Sequence, residues 1–283
     1  MEVIVGKYCG FCAGVNYCVT KAEETINNSK EKIYCLGEII HNETVIKDLE
    51  SKGMITVETI DEVPNNSKVI FRAHGEAKAV YEQAAKKNLN VLDLTCGKVR
   101  IIHNKVEKNS DKFILIIGKK THPEVIGTKG YTKESYVIEN EEDIDESYKE
   151  FQKSKLNQVY IVAQTTFNEP KFNKILEEIK SIYLNTEIII DNTICDATKN
   201  RQDEVVDIAK QVNKMVIIGG KHSSNTKELA NIALNYCREV YLVQTLEDLK
   251  DYEFTKEDIV GVTAGASTPK ELTNEIVEYL GGI

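Results

Sequence analysis

The sequence predicts an α/β protein of three subdomains, each a mainly parallel sheet covered by helices. Three observations lead there. Short runs rich in Val and Ile alternate with helix-length amphipathic stretches along the chain. The apolar runs lack the in–out alternation of a sheet wetted on one face, so their strands are buried on both. Nine such strand-and-helix units also fall into three groups of three with matching loops.

The units can be taken in order. "EVIVGKYCGFCAGV" (2–15) opens with a strand and runs into a helix-like stretch through Glu24. "KIYCLGEIIHNETVIKDLESKG" (32–53) and "KVIFRAHGEAKAVYEQAAKKN" (68–88) repeat the pattern. "NVLDLTCGKVRIIHNKVEK" (90–108), "KFILIIGKKTHPEVIGTKGY" (112–131) and "QVYIVAQTTFNEPKFNKILEEIKSI" (158–182) form the second group. "EIIIDNTICDATKNRQDEVVDIAKQV" (187–212), "KMVIIGGKHSSNTKELANIALNYC" (214–237) and "DIVGVTAGASTPKELTNEIVEYL" (258–280) form the third. The acidic stretch "ENEEDIDESYKE" (139–150) reads as a solvated connector with some helix.

Each group begins with a unit whose strand-to-helix loop carries a cysteine: Cys12, Cys96 and Cys195, spaced 84 and 99 residues apart. The second units carry the polar loops "EIIHNE", "KKTHPE" and "GKHSSN", and the third carry "RAHG", "AQTTFN" and "AGAST". This is a weak internal repeat, carried by loops more than by residue identity. It divides the chain into subdomains 13–95, 96–194 and 195–283, the last completed by an N-terminal strand in 1–12. Ligands bind at the carboxyl ends of parallel strands, so the nine loops are expected to face a common centre.

Composition sets bounds. Hydrophobic residues make up 41% and charged residues 29% of 283, as in ordinary globular chains. A net charge of −9 argues against broad nucleic-acid or anionic-membrane binding. No apolar run approaches the roughly 18 residues that span a bilayer. The start "MEVIVGKYCG" lacks the basic and long apolar regions of a signal peptide, so a cytoplasmic location is expected. Seven cysteines, an odd number, then suggest reduced thiols or metal ligands rather than disulfides.

A lone cysteine is usually a small buried hydrophobe, and Cys18, Cys35 and Cys237 fit that description. Cys9 and Cys12 form a C-x-x-C, but no thioredoxin pattern surrounds it. Cys12, Cys96 and Cys195 differ because they share one slot, where a helix start favours the thiolate. Three convergent thiolates make a metal site, either zinc with a fourth ligand or an iron–sulfur cluster with one iron left open. Structural zinc sites draw on close-spaced pairs, so the wide spacing fits a cluster better. Ser223, Ser224 and Asn225, just before a helix, suit both an N-cap and an anion cradle. Ser267, with Pro269 near the next helix start, repeats that arrangement.

Together, "GFCAGV", "IIHNETV", "RAHG", "LTCGKV", "THPEVIGTKG", "AQTT", "TICDATKNRQ", "SSNTKEL" and "TAGAST" resemble, in order, the 4-hydroxy-3-methylbut-2-enyl diphosphate reductase family over almost the whole chain. The resemblance implies a trefoil of three pseudo-threefold-related α/β subdomains around a central [4Fe–4S] cluster with three cysteine ligands and one open iron. It implies Cys12, Cys96 and Cys195 as those ligands, with Cys9 and Cys18 as bystanders. His41, His74 and His122 would hold the diphosphate and the reacting end of the substrate, with Ser223, Ser224, Asn225 and Ser267 as neutral anion donors. His103 falls on a helix-like stretch outside these motifs. Thr165 would face the substrate hydroxyl and Glu124 would donate the proton.

The implied activity is the reductive dehydroxylation of an allylic diphosphate to isopentenyl and dimethylallyl diphosphate, the last step of the methylerythritol phosphate route. The electron donor would be a flavodoxin or ferredoxin, and a monomer is expected. A zinc hydrolase using the same cysteines, or a non-enzymatic metal sensor, are the competing readings; a sensor would have no need of the His and Ser/Asn loops. Gly97 after Cys96, Asn16 and Tyr17 after "AGV", Thr121 and His222 depart from the family pattern.

Overall fold

A computed structural model describes the chain from Met1 to Ile283. It opens with β1 (Glu2–Val5) and α1 (Ala13–Asn27). There follow β2 (Ile33–Leu36), α2 (Glu43–Ser51), β3 (Met54–Val57), β4 (Lys68–Phe71), α3 (Lys78–Lys86), β5 (Asn90–Asp93) and α4 (Gly97–Lys108). The middle of the chain supplies β6 (Phe113–Ile117), α5 (Pro123–Lys129), β7 (Ser135–Ile138), α6 (Ile144–Ser154), β8 (Gln158–Ala163), α7 (Glu169–Ile182), β9 (Glu187–Ile190) and α8 (Asp196–Ala209). The last elements are β10 (Lys214–Ile218), α9 (Ser224–Leu234), β11 (Glu239–Val243), α10 (Leu246–Lys250), β12 (Ile259–Ala264) and α11 (Lys270–Gly281).

The strands form three four-stranded sheets, ordered β3-β2-β4-β5, β7-β6-β8-β9 and β11-β10-β12-β1. All nine pairings are parallel. The order is the same each time, and in the third sheet β1 takes the place that β5 and β9 hold in the others. The three expected α/β subdomains are therefore present, and the repeat first seen in loops is also a repeat of topology.

Both faces of the central strands are covered, which explains their unbroken apolar sequence. Phe113, Leu115 and Ile117 pack with Val159 and Ile161 against Phe172 and Ile175 of α7. Ile114 and Ile116, on the opposite face, pack with Val162 against Ile102 and Val106 of α4. Each such side chain contributes about 1.5–3 kcal/mol on burial. In the third sheet, Met215 and Ile217 meet Leu229 of α9, while Val216 and Ile218 share the other face with Ile276 of α11.

Three strands lay outside the nine units read from sequence: β3, β7 and β11. Each is the strand at the β2, β6 or β10 edge of its sheet. They are about as short as β1, β5 and β9, but a 3₁₀ turn or a five-residue helix follows each directly, so the strand-then-long-helix signature is missing. The acidic stretch is more than a connector. After a single 3₁₀ turn (Glu141–Asp143), α6 buries Ile144 and Phe151 in the core of the second sheet.

The chain divides into two compact units. Residues 1–16, 40–47 and 196–283 form one, which holds the third sheet; residues 17–39 and 48–195 form the other, which holds the first and second. No helix is long and apolar enough to cross a membrane.

Candidate active site

The three cysteines that share a slot in the sequence hold equivalent places, each at its own sheet. Each follows the fourth strand of its sheet and stands immediately before a helix: Cys96 before α4, Cys195 before α8 and Cys12 before α1. Each is tied by its own N–H to the loop after the third strand of that sheet. Cys96 N donates to the Ala73 carbonyl at 3.0 Å, Cys195 N to Thr165 at 2.9 Å and Cys12 N to Ala266 at 3.0 Å. None of the seven cysteines is in a disulfide, and these three are only half-buried. Cys18, Cys35 and Cys237 are buried, and burial pushes their thiols up, that of Cys18 to about 12. Cys9 is half-buried, and desolvation followed by the Glu204 charge raises its thiol to about 11.

In the unit holding the first two sheets, the loop residues form a connected series. His74 follows Ala73, and its ring meets His122 edge-on with centroids 5.4 Å apart. His122 is the N-cap of α5, followed by Pro123, and its Nδ1 accepts from Glu124 N at 3.2 Å. That acceptor role leaves the Nε2 position for the proton of a neutral imidazole.

Glu124 is only 3% exposed. Thr165 N donates to its Oε1 and Thr165 Oγ1 to its Oε2, both at 2.6 Å. Burial raises its carboxyl to about 7, and the two Thr165 hydrogen bonds hold it from going higher. The Thr165 carbonyl is also the anchor of Cys195, so one residue fixes both the acid and a candidate ligand. Gln164 braces this turn: its Oε1 accepts from Lys119 N at 3.0 Å and its Nε2 donates to Thr166 Oγ1 at 2.8 Å.

The other unit gathers the remaining candidates. The Ser267 hydroxyl donates to the His41 carbonyl at 3.3 Å, and Asn42 Nδ2 donates to the Ser267 carbonyl at 2.8 Å. Asn42 Oδ1 also accepts from Val45 N at 3.2 Å, capping α2. Gly220 lies so close to the His41 carbonyl that a Cβ there would collide with it. The loop before α9 is thereby held against the His41 loop.

Ser223 caps α9, its Oγ accepting from Thr226 N at 3.3 Å, and Ser224 is the half-buried first residue of that helix. Asn225 is 5% exposed, and neither its Oδ1 nor its Nδ2 has a hydrogen-bond partner in the protein. A buried amide with both ends unsatisfied is costly unless something else meets it. Such a side chain at a helix start is suited to an anion.

Sequence reasoning missed Asn42 and Gln164. A signal existed for Asn42, an Asn directly before a helix pattern. Gln164 acts on a backbone amide and a hydroxyl, and its sequence neighbourhood gives no sign of that. The positions that depart from the family pattern all face outward: Asn16, Tyr17, Gly97, Thr121 and His222 are exposed. His103 is buried in α4, stacked on Tyr131 at 4.3 Å, and desolvation lowers its imidazole to about 4.

Residues 3–281 match the family described as LytB protein. The chain is 38% identical over 285 residues to the 4-hydroxy-3-methylbut-2-enyl diphosphate reductase of Caldanaerobacter subterraneus subsp. tengcongensis, covering 99% of this chain and 96% of that one. The enzyme of the same name from Clostridioides difficile is 36% identical, with 99% of each chain covered. Among solved structures, the E-1-hydroxy-2-methyl-but-2-enyl-4-diphosphate reductase of Plasmodium falciparum superposes with a TM-score of 0.89 at 30% identity, over 99% of this chain and 87% of that one. A second, titled as the terminal enzyme of the non-mevalonate pathway, is 36% identical with a TM-score of 0.71 and full coverage of both chains.

Proposed function

Because the chain belongs to the LytB family, we propose that it is a reductase that converts 4-hydroxy-3-methylbut-2-enyl diphosphate to isopentenyl and dimethylallyl diphosphate. The observation that carries the chemistry is Glu124. It is a buried carboxyl, raised to about 7 and held at both oxygens by Thr165. A carboxyl placed so keeps its proton near neutral pH and can release it on demand.

Family membership implies an iron–sulfur cluster. The donor set fits: three half-buried thiols stand at helix starts, each with its backbone pinned. Soft thiolates suit such clusters, and three of them leave one iron of a [4Fe–4S] cluster open. Cys12, Cys96 and Cys195 would hold it. When bound, the cluster supplies the reducing electrons and a Lewis-acidic iron.

The remaining steps belong to the protein's own groups. Ser223, Ser224, Asn225 and Ser267 bind the diphosphate through hydroxyls, an amide and helix-start N–H groups. His41, His74 and His122 complete the polar surround, His122 through Nε2. The diphosphate end is thereby fixed while the hydroxyl end reacts. Glu124 gives its proton to the departing hydroxyl, which leaves as water. The carboxylate left behind is acceptor-only, and the Thr165 N–H and hydroxyl donate to its two oxygens, stabilising it until it is reprotonated. Two electrons and two protons balance the reaction: one proton ends in water, the other at either terminus of the allyl group, hence two products. A flavodoxin or ferredoxin is the class of donor that fits one-electron delivery.

The test is anaerobic reconstitution followed by turnover with a chemical reductant. Brown protein that forms both five-carbon diphosphates is expected. Colourless zinc protein, or iron-loaded protein that leaves the substrate unchanged, rejects the assignment.

A further inference from the structure

The loop that delivers Cys12 is longer than its two counterparts. Residues 94–96 join β5 to α4 and residues 191–195 join β9 to α8, whereas residues 6–12 join β1 to α1. The two shorter loops brace themselves. Asp93 Oδ1 accepts from Thr95 N at 3.0 Å and Thr95 Oγ1 at 2.6 Å, and Asn192 Oδ1 accepts from Ile194 N at 3.1 Å. The stretch "GKYCGFC" has no Asp, Asn, Ser or Thr to make such a turn.

Its brace comes instead from α8. Glu204 accepts from Lys7 N at 2.8 Å and from Tyr8 N at 3.3 Å. Arg201, 4% exposed, donates through one terminal nitrogen to the Gly10 carbonyl and through the other to the Ala197 carbonyl, both at 2.9 Å. Arg201 and Glu204 are three residues apart, on one side of the helix. Between them they hold two backbone donors and one acceptor of the loop. Gly10 is at φ 100°, where only glycine sits without strain, so the loop has a special shape to be held.

We propose that Arg201 and Glu204 are positioning residues that set the Cys12 thiol in place by clamping residues 7–10 from α8. This rests on Cys12 being a cluster ligand. The clamp replaces the side-chain turns that serve Cys96 and Cys195, and it is built into the helix that begins right after Cys195.

The test compares wild type with Arg201→Gln, Arg201→Lys and Glu204→Ala. In the metal-free protein, alkylation rates of Cys12, Cys96 and Cys195 are followed separately by peptide mass spectrometry. Loss of a hydrogen bond to a charged group should raise the Cys12 rate about tenfold or more, with Cys96 and Cys195 unchanged. Arg201→Lys, which keeps a charge and a donor, should fall between Arg201→Gln and wild type. The reconstituted variants should lose iron to a chelator faster than wild type.

An unchanged Cys12 rate in Glu204→Ala and Arg201→Gln overturns the clamp, and so does an equal rise at all three cysteines. If buried Arg201 cannot be replaced without unfolding, the half-buried Glu204 decides alone. Cys12→Ser protein that retains its iron would remove the ligand assignment instead, while the alkylation result would stand.

Discussion

At the scale of the residue, the site depends on carboxyl and amide groups that the protein leaves incompletely answered. No cation balances Glu124; two hydrogen bonds from Thr165 do part of that work and burial outweighs them. The sign for pH follows. Burial raises the folded carboxyl to about 7, above the ordinary carboxyl value of 4.5, so the acid form is present below that pH and is lost as pH rises through it. Turnover should therefore fall along a one-proton limb above about pH 7, measurable as kcat with saturating substrate and a chemical reductant. Glu124→Gln keeps the shape and should keep iron and substrate binding. It should lose about 10²- to 10⁴-fold in kcat, with little change in KM. Asn225 offers a second test. Removing its unsatisfied amide by Asn225→Ala should weaken binding of the diphosphate about 10- to 150-fold by calorimetry, the worth of one hydrogen bond to a charged group. These two residues differ in legibility. Asn225 could be read from its place at a helix start, but Glu124 is one glutamate among many, and only the resemblance singled it out. Nothing in local sequence reports that a carboxylate will be buried against a threonine 41 residues away.

At the scale of the element, the recurring device is a short strand, a loop that ends at a cysteine and a helix that starts right after it. That slot was legible because it recurs three times with the same strand before and helix after. Replacing Cys12, Cys96 or Cys195 by Ser should abolish iron binding after anaerobic reconstitution, whereas Cys9→Ser and Cys18→Ser should retain it; iron and sulfide analysis reads the result. The edge strands β3, β7 and β11 were not legible, since a 3₁₀ turn or a five-residue helix follows each in place of a long amphipathic stretch. Nor was the network that starts the strands of the third sheet. Asp258 accepts from Asn213 Nδ2 at 2.6 Å and Thr255 N at 2.7 Å, and pairs with Lys214 at 3.1 Å. Burial works against its charge, but these partners outweigh it and hold its carboxyl at about 2. Its contribution is therefore present above the ordinary aspartate value of 3.8 and is lost as pH falls toward 2. Asp258→Ala should cost about 1.5–3 kcal/mol at neutral pH in urea unfolding.

At the scale of the whole molecule, the sequence patterns carried the fold class, because strands covered on both faces must be apolar throughout. The core should be correspondingly intolerant. Ile161, fully buried between β6, β9 and the α7 layer, should cost about 2–5 kcal/mol as Ile161→Ala, read from the denaturation midpoint. The loop repeat also assigned the N-terminal strand to the third sheet, the longest-range pairing of the fold: Glu2 lies beside Ile259, and Val5 beside Val262. On the ribosome, that partner is made long after β1. The first strand must therefore wait unpaired while the intervening segments are synthesised, with its edge groups exposed. Cys12, fastened by its N–H to Ala266, cannot take its final position until that late segment has emerged. The order of synthesis thus delays completion of the proposed three-cysteine ligand set until the β12 segment has emerged, and insertion of the cluster becomes an event that follows it.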